Sequence, residues 1–228
     1  MILIKSIDVS YTKNKKVLNG LSLSLSDNNI HGIVGLNGSG KTTLLNTIYG
    51  LKKVDSGEIL NDNIKILKND VAYLVTENFF YTNITAREYL SIFKNGNFEL
   101  NKWNDLFLLP LDNLTDNYST GMKKKLALLG ILKQDKPILI LDEPFNGLDI
   151  ETVRIIRSVL LKLKERGKTI IITSHIIETL TNLCDFIHYL EKGEIKFSKI
   201  KSEFADFEKD IFEFIENKNE KIIDELFE

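Results

Sequence analysis

A single cysteine, Cys184, among 228 residues leaves no internal disulfide to be made. Nothing in the thiol content therefore ties the chain to an oxidising compartment, and a lone cysteine in an apolar pattern is expected to pack as a small hydrophobe. Net charge is scarce as well. The formal value of -2 argues against broad electrostatic attraction to nucleic acid or to an anionic membrane, so no nucleic-acid partner is expected. Long hydrophobic runs are missing: no stretch approaches the roughly 18 apolar residues that would span a bilayer. The opening MILIKSIDVSYTK is too short in its apolar part for a secretory signal and carries no cleavage-like site. Internal repeats and low-complexity linkers are missing too. These absences lead to the expectation of a soluble, cytoplasmic chain. With 43% hydrophobic residues it is long enough to bury a real core, as one domain or one domain with a lobe.

Strands are expected at Ile2 to Val9, Leu21 to Leu25 and His31 to Val34, the first two with partial alternation and the third running into a glycine-rich turn. Lys41 to Tyr49 has helical spacing and stops at Gly50, after which DSGEIL and the residues to Leu74 suggest turns and short strands. From about Thr85 to Leu132 the apolar residues recur at helical spacing, with asparagine-rich breaks at Asn95 to Asn97 and Asn113 to Asn117. This reads as a small helical lobe. Ile138 to Leu141 leave no polar face, as in a parallel strand buried on both sides. An amphipathic helix follows, about Ile150 to Arg166, closed by Gly167. Thr169 to Thr173 reads as another buried strand, Ile176 to Leu183 as a helix, and Phe186 to Leu190 with Glu194 to Phe197 as a hairpin about Lys192-Gly193. In the tail, Phe204, Phe207, Ile211, Phe214 and Ile215 share one helical stripe, expected to pack on the body, with partner recruitment as the alternative.

Two stretches carry chemistry. GLNGSGKT, Gly35 to Thr42, matches the phosphate-binding loop pattern, and it follows an expected strand and opens an expected helix. Gly35, Gly38 and Gly40 let backbone N–H groups turn inward around phosphate oxygens, and the helix N-terminus adds a favourable dipole of about 0.3 to 2 kcal/mol. Leu36, Asn37, Ser39 and Thr43 belong to the same nucleotide-binding stretch. Lys41 supplies a point charge, expected to face solvent in the empty site, and Thr42 offers a hydroxyl to Mg²⁺. The second stretch, ILILDEPFNGLD, drives an aliphatic run into two adjacent acids at the carboxyl edge of a strand, where ligands bind in open α/β sheets. Asp142 is placed to hold Mg²⁺ beside the loop. Glu143, one residue on, points elsewhere and can act on an attacking water as general base or by orienting it, and Pro144 is expected to end the strand. Solvated acids at an ordinary strand end are the alternative.

These motifs, in this order, resemble the nucleotide-binding subunit of ATP-binding cassette (ABC) transporters over roughly residues 1 to 200. That family has a leucine-serine-glycine-glycine-glutamine segment before a signature helix. Here it is Tyr118-Ser119-Thr120-Gly121-Met122 followed by Lys123 to Lys125, so Ser119 and Gly121 are kept and three positions depart. Read alone, the segment is a helix cap with a solvated lysine face. The resemblance implies an α/β fold with a P-loop NTPase core, a mixed or parallel sheet, an N-terminal antiparallel β subdomain and a helical lobe at about 80–135. It further implies an ATPase domain over 1–200 and a helical tail over 201–228.

The same resemblance implies ATP and Mg²⁺ as cofactors and a homodimer in the ATP-bound state, with Ser119 and Gly121 contacting the nucleotide held by the opposite subunit. Asp149, in Asn146-Gly147-Leu148-Asp149, belongs to a loop that crosses the dimer interface, and His175 is the switch histidine near the γ-phosphate. Tyr11 stacks on adenine, an exposed tyrosine before a turn being the alternative. His31 and His188 match no motif and are read as structural. Thr76, with Glu77 next, stands where the family has a glutamine joining core and lobe. The aromatic group Phe79, Phe80 and Tyr81 stands where the lobe receives a helix of an integral-membrane subunit, core packing being the alternative. The function implied is ATP hydrolysis powering transport, export before import, through that separate subunit, with the chain peripheral on the inner face of the cell membrane. A soluble non-transport ABC ATPase and a weakly hydrolysing regulatory module are the alternatives.

Overall fold

The computed structural model describes residues 1–12, 15–205 and 226. In chain order these form β1 (Ile2–Thr12), β2 (Lys15–Leu25), β3 (Ile30–Val34), α1 (Lys41–Tyr49), β4 (Ser56–Asn61), β5 (Ile64–Lys65) and β6 (Val71–Leu74). After them come α2 (Ala86–Ser91), α3 (Leu100–Phe107), α4 (Thr120–Gln134), β7 (Ile138–Leu141), α5 (Ile150–Glu165), β8 (Thr169–Ser174), α6 (Ile177–Thr181), β9 (Phe186–Glu191) and β10 (Glu194–Ile200). Of the tail stripe, Phe204 is buried, while Phe207, Ile211, Phe214 and Ile215 lie outside the described residues.

The partial alternation of the first strand has a physical cause. Ile2 and Ile4 are buried at even positions, Ile7 and Val9 at odd ones. Between them the β1–β2 ladder shifts register, Ser6 takes φ 46°, and its N–H donates to Ser22 Oγ at 2.9 Å. The extra residue resets which face each side chain meets, so both halves still point inward. β2 corrects the sequence reading: it starts at Lys15, six residues before the expected Leu21. It forms a hairpin with a β1 that runs on to Thr12, and its own phase changes at Gly20, where φ is 55°. The four-stranded sheet β2-β1-β4-β5 is antiparallel throughout.

The second sheet has the order β10-β9-β3-β8-β7-β6, parallel except for β10. β7 has no polar residue because it serves two cores. In β7, Leu139 and Leu141 join the cluster containing Leu126, Leu129 and Ile156, while Ile138 and Ile140 join the one containing Ile7, Leu44 and Ile48. β8 divides in the same way, Ile170 and Ile172 against Ile171. Each such side chain removed from water contributes about 1.5 to 3 kcal/mol. Parallel strands bring their carboxyl ends to one edge, which places the loops after β3, β6, β7 and β8 together.

Helix ends follow local chemistry. Thr85 and Glu88 form a capping box on α2, the Ser119 hydroxyl accepts the Met122 N–H on α4, and Asp149 accepts the Thr152 N–H on α5. The lysine run on α4 corrects the reading of a solvated face, since Lys124 is buried. β7 ends at Leu141, before Pro144 is reached, so the proline is not what ends it. Asp142 N–H still donates to Leu74 O, and the chain leaves the ladder at Glu143, whose φ is 49°. Phe80 packs on the core, with its ring 4.8 Å from that of Tyr89, while Phe79 and Tyr81 stay exposed.

His31 and His188 are buried and stacked, with Nδ1 and Nε2 3.2 Å apart. A consistent neutral chain runs from the Ser198 hydroxyl to His188 Nδ1, from His188 Nε2–H to His31 Nδ1, and from His31 Nε2–H to Ser26 O. Burial lowers both affinities for a proton and, with His31 beside it, pushes His188 down to about 3. The unfolded chain therefore binds more protons between about pH 3 and 6.5. The pair's contribution to stability is complete above that window and is lost as pH falls through it. Urea unfolding at pH 7 and pH 5 is expected to show a loss on the order of 2 kcal/mol from His188 alone. His188→Gln should flatten that dependence, and the same pH slope in both proteins would remove this account of the pair.

Candidate functional site

Gly35 to Thr42 run from the end of β3 into α1, and two glycines carry the loop's turns: Gly38 has φ 80° and Gly40, the N-cap of α1, has φ 112°. Gly35 is needed for a different reason. A Cβ there would lie 2.2 Å from Leu190 O and 2.7 Å from Ser39 Oγ, so the loop sits directly on β9. The hairpin after β9 fastens it further, because Gly193 N–H donates to Ser39 O, and Asn19 bonds both Gly193 O and Lys192 O. The loop is thus held in shape by parts of the chain remote in sequence.

A cleft of about 520 Å³ opens over the loop, lined by Tyr11, Lys15, Val17, Asn37, Gly38, Gly40, Lys41, Thr42, Thr43, Thr76, Glu143, Asn146 and His175. The expectation that Lys41 faces solvent is corrected: it is 8% exposed, and its ammonium donates to Gly35 O at 2.7 Å and stands 3.8 Å from Glu143 Oε1. Burial lowers its proton affinity, and Glu143 and Asp142 oppose that shift. The Leu36 and Ser39 side chains do not line the cleft. Their backbones close the loop through Ser39 N–H to Leu36 O, and the buried Ser39 hydroxyl has no hydrogen-bond partner among the described residues.

Asp142 is 1% exposed and accepts three threonine hydroxyls: Thr42 and Thr76 on Oδ2, each at 2.8 Å, and Thr173 on Oδ1 at 2.6 Å. Thr173 Oγ also accepts the Glu143 N–H at 2.9 Å. The left-handed turn at Glu143 sends its carboxylate away from Asp142, into the cleft. Its Oε2 lies 3.1 Å from Nδ1 of the half-exposed His175, and its Oε1 faces Lys41. A β-region residue would continue the strand direction, so the strain concentrates where a carboxylate must be aimed. Thr42 and Asp142 offer hard oxygen donors at the loop. One carboxylate and one hydroxyl, 2.8 Å apart, form a donor set that fits a cation keeping water and phosphate ligands.

Ser119, Gly121 and Asp149 are not brought to the cleft. The start of α4 and the loop before α5 meet instead: a Cβ on Gly121 would lie 3.4 Å from Gly147 O, and Lys125 Nζ is 3.7 Å from Asp149 Oδ2. Tyr11 is at the cleft rim, 55% exposed, with its hydroxyl accepting from Thr43 Oγ at 3.4 Å and the Lys52 ammonium 4.7 Å from its ring centroid. Sequence reasoning missed Lys15, Val17, the Thr173 hydroxyl, Lys124, and Asn146 as a lining residue. Thr173 had a usable signal, its place two residues before His175 at a strand end. Lys15 and Val17 had none, since only the β1–β2 hairpin carries them over the loop.

The sequence model of the family described as ABC transporter matches residues 18–146. The ABC transporter ATP-binding protein YtrB of Bacillus subtilis (strain 168) is 30% identical, over 98% of this chain and 81% of the relative. The lantibiotic transport ATP-binding protein SrtF of Streptococcus pyogenes is 28% identical, over 87% of this chain and 90% of the relative. Among solved structures, a dimeric ATP-binding cassette in a post-hydrolysis state, bound to ADP and Pi, superposes with a TM-score of 0.78 at 25% identity, covering 88% of this chain and 99% of that one.

A charged hydrogen bond from an ammonium to phosphate contributes about 1.5 to 3 kcal/mol. Lys41→Ala is accordingly expected to weaken ATP binding by about ten- to a hundredfold in calorimetry. It should also lower the melting temperature, because it leaves the Glu143 carboxylate buried without its nearest cation. Parental ATP affinity in this variant would remove Lys41 from the phosphate site.

Proposed function

We propose, on the premise that this chain belongs to the ABC transporter family and is an ATP-binding subunit of such a transporter, that it works as a homodimer on the inner face of a membrane and drives export through a separate membrane-spanning chain. Cassettes of this family hydrolyse ATP, form dimers and work with membrane subunits. The observation that carries the reading is the left-handed turn at Glu143, which sets one carboxylate between Lys41 and His175 beside an Asp142 already engaged with Thr42.

In this reading the N–H groups of Asn37 to Thr42 and the Lys41 ammonium take the phosphates, Lys41 leaving Gly35 O to do so. Thr42 and Asp142 hold Mg²⁺, which when bound offsets phosphate charge. Glu143 accepts the proton of the attacking water, or orients that water, as its oxygen forms the new bond to the γ-phosphorus and the bond to the ADP oxygen breaks. His175 holds the Glu143 carboxylate in that direction. Tyr11 stacks on adenine with the ring face that Lys52 leaves free. Ser119 and Gly121 meet the nucleotide of the opposite subunit and Asp149 lies on the interface, a role supported by their placement outside their own chain's cleft.

One further observation supports the membrane partner: Phe79 and Tyr81 present exposed rings in the segment between β6 and α2. Export rests on the signature segment YSTGM.

Glu143→Gln keeps the shape of the side chain and removes its charge, so hydrolysis is expected to fall by about 10² to 10⁴ while ATP binding persists. With ATP the variant should elute as a dimer, and adding Ser119→Arg should return it to monomer. Hydrolysis at the parental rate, or a monomer at saturating ATP, would sink the composite site.

A further inference from the structure

Of the three consecutive lysines at the start of α4, the middle one is inside the protein. Lys124 is 6% exposed, and its ammonium donates to Thr76 O at 3.4 Å. The Thr76 hydroxyl in turn donates to Asp142 Oδ2 at 2.8 Å. A lysine is seldom this deeply buried without a counter-charge. Here burial disfavours the charged ammonium while Asp142 and Glu143 favour it. The Lys41 ammonium stands in the field of the same acids, 3.8 Å from Glu143 Oε1. Two buried ammoniums, one on the loop and one on the helical segment that reaches Asp142 through Thr76, thus share two buried carboxylates, and they differ in what the proposed nucleotide site asks of them. Lys41 turns to phosphate, whereas Lys124 stays with the acids.

We infer that Lys124 is a positioning residue of this site: with Thr76 as its link, it is the fixed counter-charge of Asp142 and Glu143 and sets how strongly the site takes up a divalent cation together with its nucleotide. The inference rests on the proposed reading of the cleft as a nucleotide site. Its physics is simple repulsion and attraction. A fixed positive charge near Asp142 opposes a divalent cation there and favours a metal-free anion in the cleft. Because the charge is mounted on α4, any movement of that helix changes the preference.

Calorimetry with ADP in excess Mg²⁺ and in EDTA tests this. The quantity to compare is the ratio of the EDTA dissociation constant to the Mg²⁺ one. Lys124→Met keeps length and removes charge, and should raise the ratio about three- to tenfold, from weaker metal-free binding and tighter binding with the cation. Lys124→Arg keeps the charge and should stay near the parental ratio. Thr76→Val cuts the hydroxyl link to Asp142, and its effect should be non-additive with that of Lys124→Met. If Lys124→Met does not fold, Lys124→Gln, which can still bond Thr76 O, carries the same expectation. A parental ratio in the neutral variants, or an equal rise in Lys124→Arg, overturns the inference. A parent that binds no ADP overturns the nucleotide reading itself, a separate outcome.

Discussion

The Asp142 carboxylate holds together the edge on which everything else is assembled. It is almost completely removed from water, and a buried carboxylate is tolerated only when its oxygens are hydrogen-bonded. Three threonine hydroxyls meet that requirement, from the first turn of α1, from the segment after β6 and from β8. The strands on both sides of β7 are therefore tied at their carboxyl ends through one side chain, in addition to their ladders. A slip of register in either strand would strand one of those hydroxyls and leave the carboxylate short of a partner.

Around this centre the backbone is held tightly. Glu143 occupies a left-handed conformation, and Gly35 and Gly193 pass so close to neighbouring carbonyls that a methyl group would collide, at 2.2 Å and 2.0 Å respectively. The β9–β10 hairpin and β2 together fix the phosphate loop before any ligand arrives. A loop fixed in advance loses little freedom on binding an anion, so more of each contact appears as affinity. The flanking His175 remains half exposed, which leaves it able to respond to what enters the cleft.

The lobe reaches this centre by charge as well as by packing. Its largest helix, α4, packs on α2 and β6 through Leu126, Leu129 and their neighbours, while one residue of its first turns extends inward to the Thr76 carbonyl. Thr76 is thereby engaged twice, its carbonyl by the Lys124 ammonium and its hydroxyl by Asp142. The start of α4 meanwhile meets the loop before α5, with Gly121 beside Gly147 O and Lys125 Nζ 3.7 Å from Asp149 Oδ2.

Legible in the sequence were the glycine loop at Gly35 to Thr42, the two acids after β7, the helix stops at Gly50 and Gly167, and the buried character of β7 and β8. These are local properties: glycine at positive φ, hydrogen-bond caps, and runs without a polar face. The relationship to the ABC family was legible for the same reason, because its motifs are short and contiguous. Tertiary structure decided what depends on two remote segments meeting. The bulge at Ser6 hid the alternation of β1, and the phase change at Gly20 hid the true start of β2. Whether Lys41 and Lys124 faced water, which residues after Thr85 lined the cleft, and how Asp142 was satisfied all depended on contacts across 30 to 100 residues of chain. A lysine reads the same in sequence whether solvated or buried, and only the field of the carboxylates placed beside it makes the buried position tolerable.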